Sequence, residues 1–339
     1  MNITFDARVL THSYFTGVEN YTNAILKQLH ELMNVTIEAP STTNKLLAHI
    51  HTHFLLPFRS SELLFCPANI APLYIPKSKK LVVTIHDVAF MRYPKSFSPL
   101  FQYYYRCIMP RIIRRANAII TISENSKNEI LHYYPEAKGK LEVIPLGIDS
   151  VFSKDTRIEK RNYILYVGSL NERKNFKAVF EAFSLLHIDC QLLIVGSVSK
   201  NFSLDTKSRE LLKEAKKNRN IVFKDHIDRN ELIRLYNAAT LLIFPSFYEG
   251  FGLPPLESMA CGTPVISSNV SSMPEVCGDA ALYVDPHNSK EIALAIERLF
   301  NDASLRQAMI IKGHNRVKQY SWKAAALKHR EVFKKVISQ

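Results

Sequence analysis

The chain has 339 residues, 47% of them hydrophobic, and a formal net charge of +13. With a mean hydropathy of −0.07 this is the composition of a soluble globular chain, long enough for two domains with a core each. No run reaches the roughly 18 apolar residues of a membrane span, and Met1-Asn-Ile-Thr-Phe-Asp6 lacks the basic start and apolar core of a signal peptide. So basic a chain seeks phosphates, yet its Lys and Arg residues are spread out and form no nucleic-acid module. Nucleotides or an anionic membrane face are the expected partners, and nucleic acid is not.

In chain order, Asn2 to Leu10 reads as an opening strand. After Thr16-Gly17 comes a helix with Val18, Tyr21, Ile25, Leu29 and Leu32 at helical spacing. A glycine between a first strand and a first helix lets the backbone approach a bulky ligand. His49, His51 and His53 alternate in the manner of metal ligands on a strand, but their flanks look helical and no acid adjoins them, so a polar surface is expected. Lys80-Leu-Val-Val-Thr-Ile-His-Asp87 reads as a buried parallel strand that ends in the polar pair His86-Asp87, either a strand-end cap or a pair aimed into a cleft. From Arg92 to Arg115, basic residues interleave with Phe97, Phe101, Tyr103, Tyr104 and Tyr105 without a single acid. That pattern suits a membrane interface, and equally a packed helix whose arginines snorkel to solvent. Asn117 to Ile122 and Leu141 to Pro145 read as the last strands of this half. The five cysteines, Cys66, Cys107, Cys190, Cys261 and Cys277, have no CxxC spacing and read as reduced cytosolic thiols.

Asp149 to Asn162 is the expected linker. Strand–helix alternation then resumes, with strands near 163–168, 190–196, 220–224, 240–245 and 263–268, the pattern of a second doubly wound α/β sheet. Directly after its first strand, Gly168-Ser-Leu-Asn-Glu-Arg-Lys-Asn175 opens a helix, and Arg173 and Lys174 there suit a leaving diphosphate. Further on, Pro245-Ser-Phe-Tyr-Glu-Gly-Phe-Gly-Leu-Pro-Pro-Leu-Glu-Ser-Met-Ala-Cys-Gly-Thr-Pro264 runs from a strand end through a loop into a helix. Gly250, Phe251, Gly252 and Leu253 fall in that loop, where the amides of Phe251, Gly252 and Leu253 can meet an anion. Glu249 and Glu257 flank it. A lone glutamate there would be an ordinary helix-start acid, but two carboxylates beside a phosphate site suit sugar hydroxyls, which donate charge-assisted hydrogen bonds.

This last stretch resembles the E-x(7)-E signature of glycosyltransferase family 4, retaining enzymes of the GT-B fold, with Glu249 and Glu257 at the two glutamate positions. The resemblance is dense from 163 to 325 and thinner before it. It implies two facing Rossmann-like domains with a cleft between them: an acceptor-side domain over 1–153, a nucleotide-sugar donor domain over 154–320, and a terminal helix, 321–339, packed back on the first. It further implies that Glu249 contacts the donor sugar, Glu257 the ribose hydroxyls, His86 the sugar near the reacting carbon, and Gly17 the donor phosphate and acceptor. The family often has arginine where the first helix of this chain has Asn20; it also often has arginine where this chain has Ser169, and the diphosphate role of that position passes to Arg173 and Lys174.

The expected activity is retaining transfer of a hexose from a nucleotide diphosphate sugar to a glycan hydroxyl, in bacterial surface polysaccharide or lipopolysaccharide synthesis. The wording around Thr16-Gly17-Val18 and His86-Asp87 resembles that of mannosyltransferases, which makes GDP-mannose the first-choice donor. No Asp-x-Asp occurs, so no metal is expected and protein cations must offset the leaving charge. No other cofactor is expected. The acceptor can be lipid-linked, and the protein is expected in the cytoplasm, with peripheral contact to the inner membrane. Two other readings share the fold: a nucleotide-sugar epimerase, which needs no acceptor, and a non-catalytic partner subunit of a membrane glycan assembly.

Overall fold

The computed structural model describes residues 2–11, 17–42, 44–196, 206–225 and 227–339. Thr16 lies outside them. The chain forms two compact units, one of Met1–Met91, Pro99–Gly147 and Tyr320–Gln339, the other of Arg92–Ser98 and Ile148–Gln319.

The first unit carries six parallel strands: β1 (Asn2–Asp6), β2 (Asn34–Glu38), β3 (Leu63–Cys66), β4 (Lys80–Thr84), β5 (Ala118–Thr121) and β6 (Leu141–Val143). Their order is β2-β1-β3-β4-β5-β6. The central strands are short apolar runs with every residue of β3 and β5 buried, because helices cover both faces of a parallel sheet. Edge strand β2, Asn-Val-Thr-Ile-Glu, is half polar and largely open to solvent. On the Gly17–Leu32 helix, Tyr21, Ile25 and Leu29 form the buried stripe that their spacing predicts. The Trp322–Ile337 helix packs on this unit through His329 and Phe333, whose ring lies 5.1 Å from that of Phe65. Gly147 is needed at that junction, since a Cβ there would stand 2.2 Å from the backbone nitrogen of Trp322.

The second unit repeats the plan with β7 (Tyr163–Val167), β8 (Gln191–Val195), β9 (Ile221–Lys224), β10 (Leu241–Phe244), β11 (Val265–Ser268) and β12 (Ala281–Val284), in the order β12-β11-β10-β7-β8-β9. Ile164, Ile194, Ile243 and Ile266 project from the sheet onto Phe176, Phe180, Ile296 and Leu299 of the covering helices. The winding direction reverses between β7 and β10, the switch point where open α/β sheets bind ligands beyond the carboxyl ends of their strands.

Several elements differ from the sequence expectation. The opening strand stops at Asp6 and gives way to a 3-10 turn over Arg8–Thr11. The basic aromatic segment is divided: Arg92–Ser98 belongs with the second unit, and Pro99–Arg115 is a helix of the first. Tyr105 packs between Phe90 and Phe101, whereas Leu100 and Tyr103 are exposed. The three alternating histidines lie on a helical stretch, 45–59, where Nδ1 of His49 and Nε2 of His53 both meet the Tyr104 hydroxyl, at 3.1 and 2.9 Å. Among the described residues no group of His, Cys, Asp and Glu is arranged to hold a metal ion, and no helix is long and apolar enough to cross a membrane.

Candidate active site

At the switch point of the second unit, the loop after β7 meets the loop after β10. Asn171 caps the short Glu172–Lys174 turn by accepting the Lys174 amide at 3.0 Å, and it donates to the Ser169 hydroxyl at 2.8 Å. Asn175 then takes a left-handed conformation, φ 56°, and donates through Nδ2 to the carbonyls of Pro245 and Pro286. The Phe247 amide donates to the Arg173 carbonyl at 2.9 Å. These main-chain ties fix both loops, so the side chains they present are held by the fold.

Arg173, Lys174 and Glu249 converge there. Lys174 Nζ lies 2.5 Å from Glu249 Oε1, and Arg173 Nη1 lies 3.3 Å from Oε2 and donates to the Tyr248 carbonyl at 2.6 Å. Burial works to raise the Glu249 pKa, but the adjacent Lys174 and Arg173 charges outweigh it and hold the carboxyl below its ordinary value. Ser271 and Ser272 both donate to the Glu249 carbonyl, at 2.8 and 3.0 Å, and Ser271 also accepts the Glu249 amide. Two cations stand against this one carboxylate in a buried corner, an arrangement that suits a diphosphate departing with negative charge.

The helix Leu253–Ala260 starts just beyond, capped by Gly252 without any side-chain cap. Gly252 has φ 104°, a left-handed conformation that favours glycine, and the atom nearest to a Cβ there would be the end of the Met273 side chain, Cε at 2.3 Å. Pro254 and Pro255 have no amide hydrogen, so the donors left at this helix start are Gly252 and Leu253. The Phe251 carbonyl accepts from Ser272 at 2.9 Å.

Glu257 has separate surroundings, with Tyr236 donating its hydroxyl to Oε2 at 2.8 Å. Burial pushes its carboxyl up to about 7, against the lowering effects of the Tyr236 hydrogen bond and of Arg229. The ordinary carboxyl value is 4.5, so the folded protein holds this proton more tightly than the unfolded chain does between that pH and about 7. The stability from this group is complete at low pH and falls as pH rises through the window, at most by about 1.4 kcal/mol per pH unit. Urea unfolding of the protein and of Glu257→Gln across pH 4–8 should show this slope in the difference between the two. Parallel curves would remove Glu257 as the source.

Two expected site residues lie in the first unit. Gly17 begins the first helix with open space where a Cβ would be. His86 is buried, and its Nε2 lies 2.9 Å from the Pro67 carbonyl, which can only accept, so Nε2 carries the hydrogen. Burial lowers its pKa, and the ring is neutral. Tyr21 packs edge-on against it at 4.7 Å, and the Tyr21 hydroxyl is held between Thr84 and His329. Asp87 accepts the Ala89 amide at 3.0 Å, a local cap.

Sequence reasoning missed Asn175, Ser271, Ser272 and Tyr236. It also missed Tyr93, whose ring lies 5.6 Å from that of Tyr248, next to Glu249. Of these only the Asn171–Asn175 turn left a trace, an asparagine three residues before the capped amide.

A doubly wound unit whose switch point presents two cations and the first glutamate of an E-x(7)-E pair is that of a sugar-transferring enzyme. Residues 49–152 match the model named Glycosyltransferase Family 4, and residues 148–316 the one named Glycosyl transferases group 1. The chain belongs to the family 4 glycosyltransferases. It is 29% identical to O-antigen chain mannosyltransferase B of Escherichia coli over 74% of this chain and 69% of that protein. It is 32% identical to O-antigen chain mannosyltransferase RfbU of Salmonella typhimurium over 66% of this chain, a match that spans 62% of RfbU. Against a serotype-specific mannosyltransferase WbdA of Escherichia coli, the match spans 27% of that protein's length. Among solved structures, a sucrose-phosphate synthase from Thermosynechococcus elongatus superposes with TM-score 0.78 at 20% identity, over 100% of this chain and 99% of the other. WaaG, a glycosyltransferase involved in lipopolysaccharide biosynthesis, superposes with TM-score 0.74 at 16% identity, over 98% and 99%. At such identities these two likenesses speak to the fold alone, which is GT-B.

Proposed function

We propose that this glycosyltransferase moves mannose from GDP-mannose, with retention, to a hydroxyl of a growing bacterial surface glycan. The observation that carries the reading is Glu249 held between Lys174 and Arg173 at the switch point. When donor binds, the two cations turn to the diphosphate and Glu249 accepts from the sugar hydroxyls. Glu257 takes the ribose hydroxyls. His86, as a neutral imidazole, orients and does not protonate. No carboxylate is assigned as a nucleophile: the acceptor hydroxyl attacks the anomeric carbon on the face that the diphosphate leaves, and the departing phosphate takes its proton. The cations replace a divalent metal in offsetting the leaving charge. The mannose assignment draws on the O-antigen mannosyltransferases that the chain is similar to.

The test is transfer from GDP-mannose, UDP-hexoses and dTDP-rhamnose to short glycan acceptors in the presence of a chelator, with the new anomeric configuration read by NMR. An α-mannoside that forms only with acceptor present is expected. An inverted product, or sugar released equally well without acceptor, would overturn the reading.

The acceptor is lipid-linked in this proposal, and the protein meets it at the inner leaflet. Phe54 and Phe58 on one helix, and Leu100 and Tyr103 on another, are between 67% and 78% exposed on the first unit, whose Arg59, Arg111 and Arg114 supply charge. Large apolar side chains with basic neighbours suit an anionic interface. Flotation with vesicles of anionic lipid should carry the protein up, and Phe54→Ser with Phe58→Ser should cut the bound fraction severalfold. Equal flotation of the two proteins would remove this surface from the account.

A further inference from the structure

We infer that the first unit holds a second anion site, for a phosphate or carboxylate group, at the carboxyl ends of β1 and β3 and built on Arg8, His51 and His53. The strand order β2-β1-β3 reverses direction at β1, so the first sheet has its own switch point between β1 and β3, and ligands of open α/β sheets bind there. Asp6 ends β1, Cys66 ends β3, and Arg8 follows on the 3-10 turn.

Arg8 is only 5% exposed, and its Nε is buried without a hydrogen-bond partner among the described residues. Both ring nitrogens of His51, and Nδ1 of His53, are in the same condition. A desolvated guanidinium whose Nε donor is unmet is costly unless an acceptor is supplied. Among the described residues, the neighbouring carboxylates Asp6 and Glu38 do not supply one to these nitrogens. Asp6 Oδ1 accepts from the Arg8 backbone amide at 3.0 Å, and burial, opposed by Arg8 and His51, raises the Asp6 pKa. Glu38 Oε2 stands 4.0 Å from His51 Nε2, beyond hydrogen-bond reach. The neighbourhood of His53 is polar and half-buried: Tyr104 bridges His53 and His49 through its hydroxyl. Burial, with the Arg8 charge, holds His53 below its ordinary pKa, so an anion that neutralised Arg8 would relieve it. A tetrahedral or planar oxyanion supplies several acceptors at once and matches the fork of an arginine.

The site does not depend on the transferase reading. Its placement on the acceptor does: under that reading, the acceptor carries the anion into the first unit while the donor diphosphate occupies the second.

The probe is inorganic phosphate, read by NMR of the full chain labelled at the histidine Cε1 positions, with His51→Gln and His53→Gln to assign the signals. Phosphate should move the His51 and His53 signals along one saturable curve, and Arg8→Gln should weaken that curve at least tenfold. If Arg8→Gln does not fold, Arg8→Lys, which keeps the charge and loses the fork, should still weaken it. A polyprenyl phosphate in detergent that moves the same signals at lower concentration identifies a lipid-linked source, and an effect of inorganic phosphate alone identifies a free anion. No movement of either signal up to about 10 mM of both probes, where even a millimolar site is mostly filled, or equal movement with and without Arg8, would overturn the site. Nucleotide binding in the second unit is measured separately, so either reading can fail alone.

Discussion

Glu249→Ala should lose transfer by roughly 10²- to 10³-fold, the usual cost of removing one preorganised polar group aimed at the reacting centre, and should still bind nucleoside diphosphate. The two effects separate because Glu249 is assigned to the sugar and its cationic partners to the phosphates. The variant should also be less stable without ligand. It leaves Lys174 and Arg173, at 13% and 12% side-chain exposure, without their carboxylate, and an unpaired buried charge costs a few kcal/mol. A nucleoside diphosphate would supply the missing negative charge, so it should raise the melting temperature of the variant by more than it raises that of the parent. Initial rates at saturating donor, together with melting curves with and without nucleotide, check this. Turnover within tenfold of the parent would take Glu249 out of the chemistry.

Lys174→Ala should weaken nucleoside diphosphate binding by about 10- to 100-fold, the range of a hydrogen bond to a charged group, some 1.5–3 kcal/mol. Arg173→Ala should do as much and disturb more, because Arg173 also donates to the Tyr248 carbonyl at 2.6 Å, and its own carbonyl receives the Phe247 amide. Lys174 lies over the Phe244 ring at 4.9 Å and reaches Glu249. The lysine variant leaves the Arg173 ties to Tyr248 and Phe247 in place. Isothermal titration with the preferred nucleoside diphosphate decides it, and an unchanged dissociation constant in Lys174→Ala would place the diphosphate elsewhere.

The second unit was legible because its strands are buried on both faces and read as apolar runs such as Leu241–Phe244, punctuated by glycine and proline. Arg173, Lys174 and Glu249 could be named from sequence because each lies in the loop that follows such a run. Their mutual pairing could not, since it depends on the left-handed turn at Asn175 and on hydroxyls of Ser271 and Ser272, small polar residues with no periodic signal. Tyr236 lies on a helix well before Glu257 and meets it only through the fold. Strand β2 was missed for its polarity. The allegiance of Arg92–Ser98 to the second unit is set by long-range contacts such as Tyr93 with Tyr248, which no local pattern encodes. Arg8 was read as part of a strand, where a charged side chain looks solvated; it is the turn that carries it inward.

Melting of the purified protein with GDP, UDP, dTDP and their sugars, with chelator present, tests the proposed nucleotide-sugar site of the second unit most directly. A ligand at about 100 times its dissociation constant stabilises by roughly 2.7 kcal/mol, a shift that a melting curve resolves. GDP and GDP-mannose are expected to give that shift, and Lys174→Ala to lose most of it. No shift with any nucleotide or nucleotide sugar, in a protein that melts cooperatively, would contradict the account.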